Sequence, residues 1–148
     1  MHNTALINAA GYGYKDCIQL LLNAKAGLDF KNQGGFTAVI LAASGGLFGS
    51  MQLLVNAKAN VNAKCDKGST ALIWGAREVD TASVQLLIAA KADVEAKDNS
   101  GRTALMWAAR EGNTPHLQLL FDANATLDAV DNKGNTVLML AMIGLVCG

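Results

Sequence analysis

The sequence predicts an all-α solenoid, a single stack of paired helices in which each pair is written in one 33-residue unit. Three observations predict it. Threonine falls at positions 4, 37, 70, 103 and 136, always 33 residues apart. Each threonine opens a near-identical phrase: Thr4-Ala5-Leu6, Thr37-Ala38-Val39, Thr70-Ala71-Leu72, Thr103-Ala104-Leu105 and Thr136-Val137-Leu138. No insertion or deletion interrupts the register, and self-similarity at a fixed period of this size marks stacked supersecondary units. The expected organisation is one domain over 1–148, with units at 1–31 (partial), 32–64, 65–97, 98–130 and 131–148 (partial).

Within a unit the elements follow one another, most clearly over 98–130. Asp98-Asn99-Ser100-Gly101 is turn chemistry, since Asp and Asn bond their own backbone and Gly supplies a positive φ. That glycine recurs two residues before each threonine, at Gly35, Gly68, Gly101 and Gly134. Thr103 suits a helix N-cap, its hydroxyl accepting from an early backbone N–H. A first helix is expected from about Ala104 to Arg110, with Leu105, Ala108 and Ala109 inward. The small pair recurs as Ala9-Ala10, Ala42-Ala43 and Gly75-Ala76 and lets a neighbouring helix approach closely. Gly112 ends this helix, as Gly13 and Gly46 do earlier.

The second helix is expected to start at Thr114-Pro115, with Thr114 as the cap and the chain's single proline just after it. Leu117, Leu120 and Phe121 form the i, i+3, i+4 stripe of a helix buried on one side. The stripe repeats as Ile18-Leu21-Leu22, Met51-Leu54-Val55 and Val84-Leu87-Ile88. The alternating segment from Ala92 to Asp98 is too short for a sheet strand and reads as an extended hairpin arm.

Composition narrows the function classes. Twelve basic residues balance twelve acidic ones, so no global field draws the chain to nucleic acid or an anionic membrane. Half the chain is apolar but only 5% is aromatic, which suits close packing of small helices. Cys17, Cys65 and Cys147 are odd in number and form no C-x-x-C pair, which argues against a disulfide framework or thiolate metal site. That usage fits a reducing, intracellular and cytoplasmic setting. The chain enters its repeat at once after Met1-His2-Asn3, with no signal peptide expected. The apolar run Val137 to Cys147 has 11 residues, too few to span a bilayer. The sequon Asn124-Ala125-Thr126 is read as idle.

A turn, two short antiparallel helices and an extended loop in 33 residues resembles the ankyrin repeat. The pattern carrying the resemblance is D-x-x-G-x-T-A-L-x-x-A-A-x-x-G, then an apolar-x-L-L-apolar stripe, then A-x-V-x-A. It is clearest from Asp98 to Val130 and recurs through essentially the whole chain. The resemblance implies L-shaped helix pairs stacked into a slightly curved array, with β-hairpin loops projecting to one side. It further implies protein binding through the concave face formed by hairpin tips and first helices, with no cofactor and no shared catalytic residue.

Several departures from that pattern carry expectations. Ile7, Ile40, Ile73, Met106 and Met139 stand where the family carries histidine, so apolar packing replaces a polar network. Lys25, Lys58, Lys91 and Asn124 replace the glycine that ends the second helix. A lysine at positive φ costs about 1 kcal/mol against glycine. Val79 replaces the mid-unit glycine of the third repeat, so that turn should deviate, with Asp80 or Thr81 capping the next helix. Cys65 occupies the turn position of Asn32, Asp98 and Asp131 and is expected to be an exposed thiol.

Variable positions in a constant frame are the functional candidates. Four residues after each threonine come Asn8, Leu41, Trp74, Trp107 and Leu140, expected to point into the groove. Seven and eight after it come Gly11-Tyr12, Ser44-Gly45, Arg77-Glu78, Arg110-Glu111 and Ile143-Gly144, on the same helical face by spacing. Adjacent units therefore repeat one constellation, Trp74-Arg77-Glu78 and Trp107-Arg110-Glu111. Trp, Tyr and Arg are enriched in binding hot spots. Tyr12 and the hairpin-tip residues Phe36, Lys67, Ser69, Asn99, Arg102, Lys133 and Asn135 complete the candidate surface. The alternative is that the tryptophans stiffen the array, the Arg and Glu residues form surface ion pairs, and W-x-x-R-E was copied by duplication.

Three function classes follow. The leading one is a protein-interaction module. The second is a self-associating or structural scaffold, natural or engineered, stacking through uncapped ends, with Leu138, Met142 and Leu145 on the C-terminal helix as the contact. The end itself reads as a fragment boundary, a half-cap or a stacking face. Enzymatic function is not expected. His2 and His116 stand alone, Gly45 to Ser50 is an inter-helix turn without a phosphate-binding lysine, and Asp128 to Gly134 fails calcium-loop spacing. No metal, cofactor, nucleic acid or membrane insertion is expected.

Overall fold

The computed structural model describes residues 3–147, with side chains described through residue 144. His2 lies outside the described residues, and the side chains of Leu145 and Cys147 are likewise not described. The described residues form four helix pairs and a final single helix. The pairs are α1 (Ala5–Tyr12) with α2 (Lys15–Asn23), α3 (Ala38–Ser44) with α4 (Phe48–Asn56), α5 (Ala71–Gly75) with α6 (Thr81–Ala89), and α7 (Ala104–Arg110) with α8 (Thr114–Asp122). The last helix is α9 (Val137–Cys147). First helices stack on first helices from α1 through α9, and second helices stack on second helices from α2 through α8. The chain is an all-α repeat solenoid.

All five threonines cap first helices. The hydroxyls of Thr4, Thr37, Thr70, Thr103 and Thr136 accept from the backbone N–H of Ile7, Ile40, Ile73, Met106 and Met139 at 3.2–3.5 Å. Each such cap contributes about 1 kcal/mol. The inward residues form a continuous core of small and aliphatic side chains. Ala38, Ala71 and Ala104 are almost wholly buried between successive first helices, and Leu105, Ala108 and Ala109 line the inner face of α7. Ile18, Met51, Leu54, Val84, Leu87 and Leu120 supply the second-helix side of that core. Phe121, expected in the same stripe, is instead 37% exposed.

The projecting loops are tight turns rather than ladders. In each, one N–H donates to a carbonyl four residues on: Asn32 to Phe36, Cys65 to Ser69, Asp98 to Arg102 and Asp131 to Asn135, all at 3.0 Å. Among the described residues one antiparallel bridge, Val130 with Thr136, extends this pairing. Gly68 shows why the turn needs glycine. Its φ is +74°, and a Cβ there would overlap the Asn99 side chain and lie 2.8 Å from the Asn99 backbone nitrogen.

Successive loops are laced together at the repeat interval. Lys31 Nζ donates to Lys64 O at 2.8 Å, and Lys64 Nζ donates to Lys97 O at 2.9 Å. Asn99 Nδ2 donates to Asp66 O at 2.8 Å, and Asn132 Nδ2 to Asn99 O at 3.0 Å. Carboxylate and amide oxygens of Asp29, Asn62 and Glu95 accept backbone N–H groups of Asn60, Asp93 and Thr126 in the following unit. Each bond contributes about 0.5–1.5 kcal/mol, and together they hold the register without a sheet.

The departures from the ankyrin pattern have local consequences. Lys25, Lys58, Lys91 and Asn124 all sit at positive φ, between 57° and 69°, so the second helices keep their left-handed exit without glycine. Val79 does not adopt positive φ, unlike Gly13, Gly46 and Gly112 at its register position. As a result α5 stops early, at Gly75. Asp80 then caps α6, accepting from the N–H groups of Ala82 and Ser83 at 3.2 Å.

Two expectations are corrected. Asn113, not Thr114, is the cap of α8: its side chain accepts from the His116 N–H, which places Thr114 and Pro115 in the first turn. Cys65 is not an exposed thiol but is buried at 5%. The turn position it occupies points its side chain inward, because Asp98 in the same position uses its oxygens inside the loop, on the N–H groups of Ser100 and Arg102.

Candidate functional site

The two tryptophans lie on α5 and α7, half-buried, along the side of the array where the turns project. Arg77 joins them. Its guanidinium carbon is 4.9 Å from the Trp74 ring centroid and 4.5 Å from that of Trp107. Arg102 and Arg110 approach the Trp107 ring at 5.0 and 5.2 Å. On the other side, Phe36 packs against Trp74 at 5.7 Å and Lys67 Nζ stands 6.0 Å from the Trp74 centroid. Three units thus contribute to one aromatic and cationic stripe, Phe36–Trp74–Trp107, bordered by Lys67, Arg77, Arg102 and Arg110.

Arg77 does not reach this place along a helix. Because α5 ends at Gly75, Arg77 and Glu78 lie in the turn rather than on the helical face that spacing suggested. Arg110, one unit on, is the last residue of α7. The irregular turn is held from the next unit. Asn113 Nδ2 donates to Glu78 O at 3.0 Å, and His116 Nδ1 lies 3.3 Å from Ala76 O. A ring nitrogen facing a carbonyl must carry the proton. The fully buried His116 is therefore a structural clamp on the turn that carries Arg77.

The two indoles differ in their anchoring. Trp107 Nε1 donates to Asp98 Oδ2 at 2.8 Å. The register equivalent of Asp98 for Trp74 is Cys65, and the buried Trp74 Nε1 has no hydrogen-bond partner.

The electrostatics of the stripe are uneven. Among the described residues the single ion pair is Arg102 Nε with Asp131 Oδ2, at 3.1 Å. Asp131 is held well below the usual carboxylate range, chiefly by the Asn135 side-chain amide, then by the Asn135 N–H, Arg102 and the Lys133 N–H, against the opposing effect of burial. Arg77 and Arg110 make no ion pair with Glu78 or Glu111.

The candidate residues therefore separate. Phe36, Lys67, Trp74, Arg77, Trp107, Arg102 and Arg110 converge on the stripe. Asn99 is committed to the Asp66 carbonyl and Asn135 to the Asp131 carboxylate. Ser69 is buried at 6%, which corrects its place at an exposed tip; it is the small residue sharing register with Phe36 and Arg102. Lys133 and Glu111 are exposed, and Glu78 is half-buried. Leu140, expected in the groove, is buried in the core.

Tyr12 stands apart, stacked on Tyr14 at 5.7 Å. Both tyrosines border an apolar cleft of about 600 Å³ on the N-terminal face, with Ala5, Cys17, Leu20 and Leu21. The sequence reading missed this cleft. Its signal was available: Ala38, Ala71 and Ala104, which match Ala5, and Ser50, Ser83 and His116, which match Cys17, are all buried by a preceding unit. At the opposite end Leu138 and Met142 are exposed on α9. Among the described residues no cluster of histidine, cysteine and carboxylate could hold a metal ion, and no helix is long and apolar enough to cross a membrane.

A family model for ankyrin repeats, in three copies, matches residues 6–98 and 72–145. A comparison with curated proteins returns no match for the chain. The family match runs through the same capped, register-true helix pairs that the structure displays, and the chain belongs to the ankyrin repeat family.

Proposed function

We propose that the chain binds another protein along the concave face of its repeat array, with the Phe36–Trp74–Trp107 stripe at the centre of the contact. Ankyrin repeats are generally protein–protein interaction modules and typically not enzymes. The observation that carries the reading is the Arg77 guanidinium shared by two indoles from adjacent units. Side chains that merely stiffen an array do not need an exposed cation at their junction, whereas aromatic and arginine anchors dominate binding energy at interfaces. Glu78, Glu111 and Lys133 form the polar rim, and Tyr12 extends the surface toward the N-terminal cleft. Asn99, Arg102 and Asn135 serve by holding the loops that frame it. The reading needs no cofactor, nucleic acid or membrane, and the free Cys17 and Cys65 suit a cytoplasmic setting.

Crosslinking capture, followed by rebinding of the purified partner, tests this reading. Trp74→Ala with Trp107→Ala should abolish binding while helical circular dichroism survives. Undiminished binding by the folded double variant would overturn it.

A second reading is self-association through the ends. It is favoured by the N-terminal cleft and by Leu138 and Met142, exposed on α9. Light scattering across a concentration series checks it: a mass that grows with concentration and reverts in Leu138→Lys/Met142→Lys supports stacking, and a constant monomer mass excludes it.

A further inference from the structure

We infer that the stripe receives an acidic, extended segment of the partner, with Asp or Glu side chains two or three residues apart seated on Arg77 and Arg110. The inference rests on the binding function proposed above and specifies the chemistry of its occupant.

Three guanidinium groups surround one indole. Arg77, Arg102 and Arg110 lie 4.5, 5.0 and 5.2 Å from the Trp107 centroid. Like charges gathered this closely repel one another unless anions intervene. Only Arg102 has its anion, Asp131. The other nearby carboxylate, Asp98, is occupied by the Trp107 indole N–H and by the N–H groups of Ser100 and Arg102. Glu78 and Glu111 are the sequence neighbours of the two free arginines but do not pair with them. With twelve positive and twelve negative residues overall, the excess is a local property of the stripe and not of the whole chain.

The form of the excess selects the ligand. A guanidinium resting over a ring uses its face and keeps its N–H donors, which lie in its plane, for an acceptor. The Arg77 and Arg110 side chains donate no hydrogen bond within the described protein. A carboxylate accepts two such donors in parallel, a geometry that Lys cannot offer. Both arginines border the same indole, and an extended or polyproline chain rises about 3.1–3.4 Å per residue. Acids two or three residues apart therefore match two neighbouring guanidinium groups, and apolar residues between them meet Trp107. Lys67 continues the positive edge beside Trp74. A dianionic phosphate would meet the same donors, so the test separates the two.

Selection of a random peptide display library on the full chain, with Arg77→Gln/Arg110→Gln as the counter-selection, provides the probe. Enriched peptides should carry Asp or Glu pairs at the stated spacing. Converting the pair to Asn or Gln should weaken binding at least about tenfold, with the difference shrinking as salt rises. Arg77→Lys should weaken binding to a similar degree despite keeping the charge. Enriched peptides without acids, equal binding of the amide forms, an empty selection on the folded chain, or binding that requires phosphoserine at those positions would each overturn the inference. If the partner still depends on Trp74 and Trp107 while any of these holds, the binding function stands and only the acidic occupant falls.

Discussion

Trp107 donates its indole N–H to the Asp98 carboxylate at 2.8 Å, a bond inside the structure that fixes the ring against its own loop. One unit earlier, Cys65 takes the place of Asp98, and Trp74 Nε1 is buried without an acceptor. An unsatisfied buried donor costs about 1–3 kcal/mol. Restoring the acid should recover much of that.

Cys65→Asp is therefore expected to stabilise the array. The new carboxylate should accept from Trp74 Nε1 and, like Asp98, from N–H groups of its own loop. At about 2–4 °C per kcal/mol for a chain of this size, thermal melting should shift upward by several degrees. Cys65→Ala, which supplies no acceptor, is the control. A lower Tm in Cys65→Asp than in Cys65→Ala would refute the register argument.

Ser50 offers a second test of satisfaction. Its register partner Ser83 donates its hydroxyl to the Asp80 cap. Leu47 stands at the equivalent cap and gives no side-chain bond, so Ser50 Oγ is buried and without a partner. Ser50→Ala should leave stability equal or raise it by about 1 kcal/mol, while Ser83→Ala should lower it by a similar amount. Denaturant titration of both variants checks the contrast.

The left-handed lysines predict a cumulative gain. Lys25, Lys58 and Lys91 adopt φ values of 57°, 69° and 63°. Glycine takes that conformation without the Cβ penalty of about 1 kcal/mol per residue, offset partly by its freer unfolded chain. Lys25→Gly, Lys58→Gly and Lys91→Gly together should raise the Tm, each adding a comparable step. Loss of stability at any of the three would mean that its side chain contributes more than its backbone strain costs.

Asp131 sets an acid limit. Hydrogen bonds, first among them that from the Asn135 amide, hold its folded carboxyl below the ordinary value. The stabilisation is present in full above the unfolded Asp value of roughly 3.9. It is lost as pH falls below that value toward the lowered folded one. Asp131→Asn should melt at lower temperature than the parent at neutral pH, because Arg102 loses its anion. The gap should narrow as pH drops below about 4. A gap unchanged with pH would show that Asp131 acts by shape alone.

Much of the fold was legible because its constraints are local and repeat. A threonine five times in register needs no tertiary knowledge to be read as a cap, and the glycines at positive φ announce their turns. Val79 was readable for the same reason: a β-branched residue cannot follow glycine into the left-handed region, so the turn had to change. What stayed hidden depends on direction and on neighbours. Cys65 sits among polar register partners, yet its thiol is buried, because the position faces the loop interior, where Asn32, Asp98 and Asp131 satisfy their oxygens. Asn113 and Thr114 are both good caps, and only the backbone phase chooses between them. The stripe's composition was visible, but not that Arg77 leaves its helix to stand between two units. Ser69 and Leu140 show the converse error: both are buried where register partners such as Arg102 and Trp107 are partly exposed, and register alone does not tell what covers a side chain.

The clamp of His116 and Asn113 makes the corner of the third unit a joint property of two repeats. The carbonyls of Ala76 and Glu78 are met by side chains that lie 40 and 35 residues further along the chain, in the fourth unit. The place of Arg77 on the surface is therefore written partly in its own repeat and partly in the next, so a change at Asn113 or His116 is a change to the turn that carries Arg77.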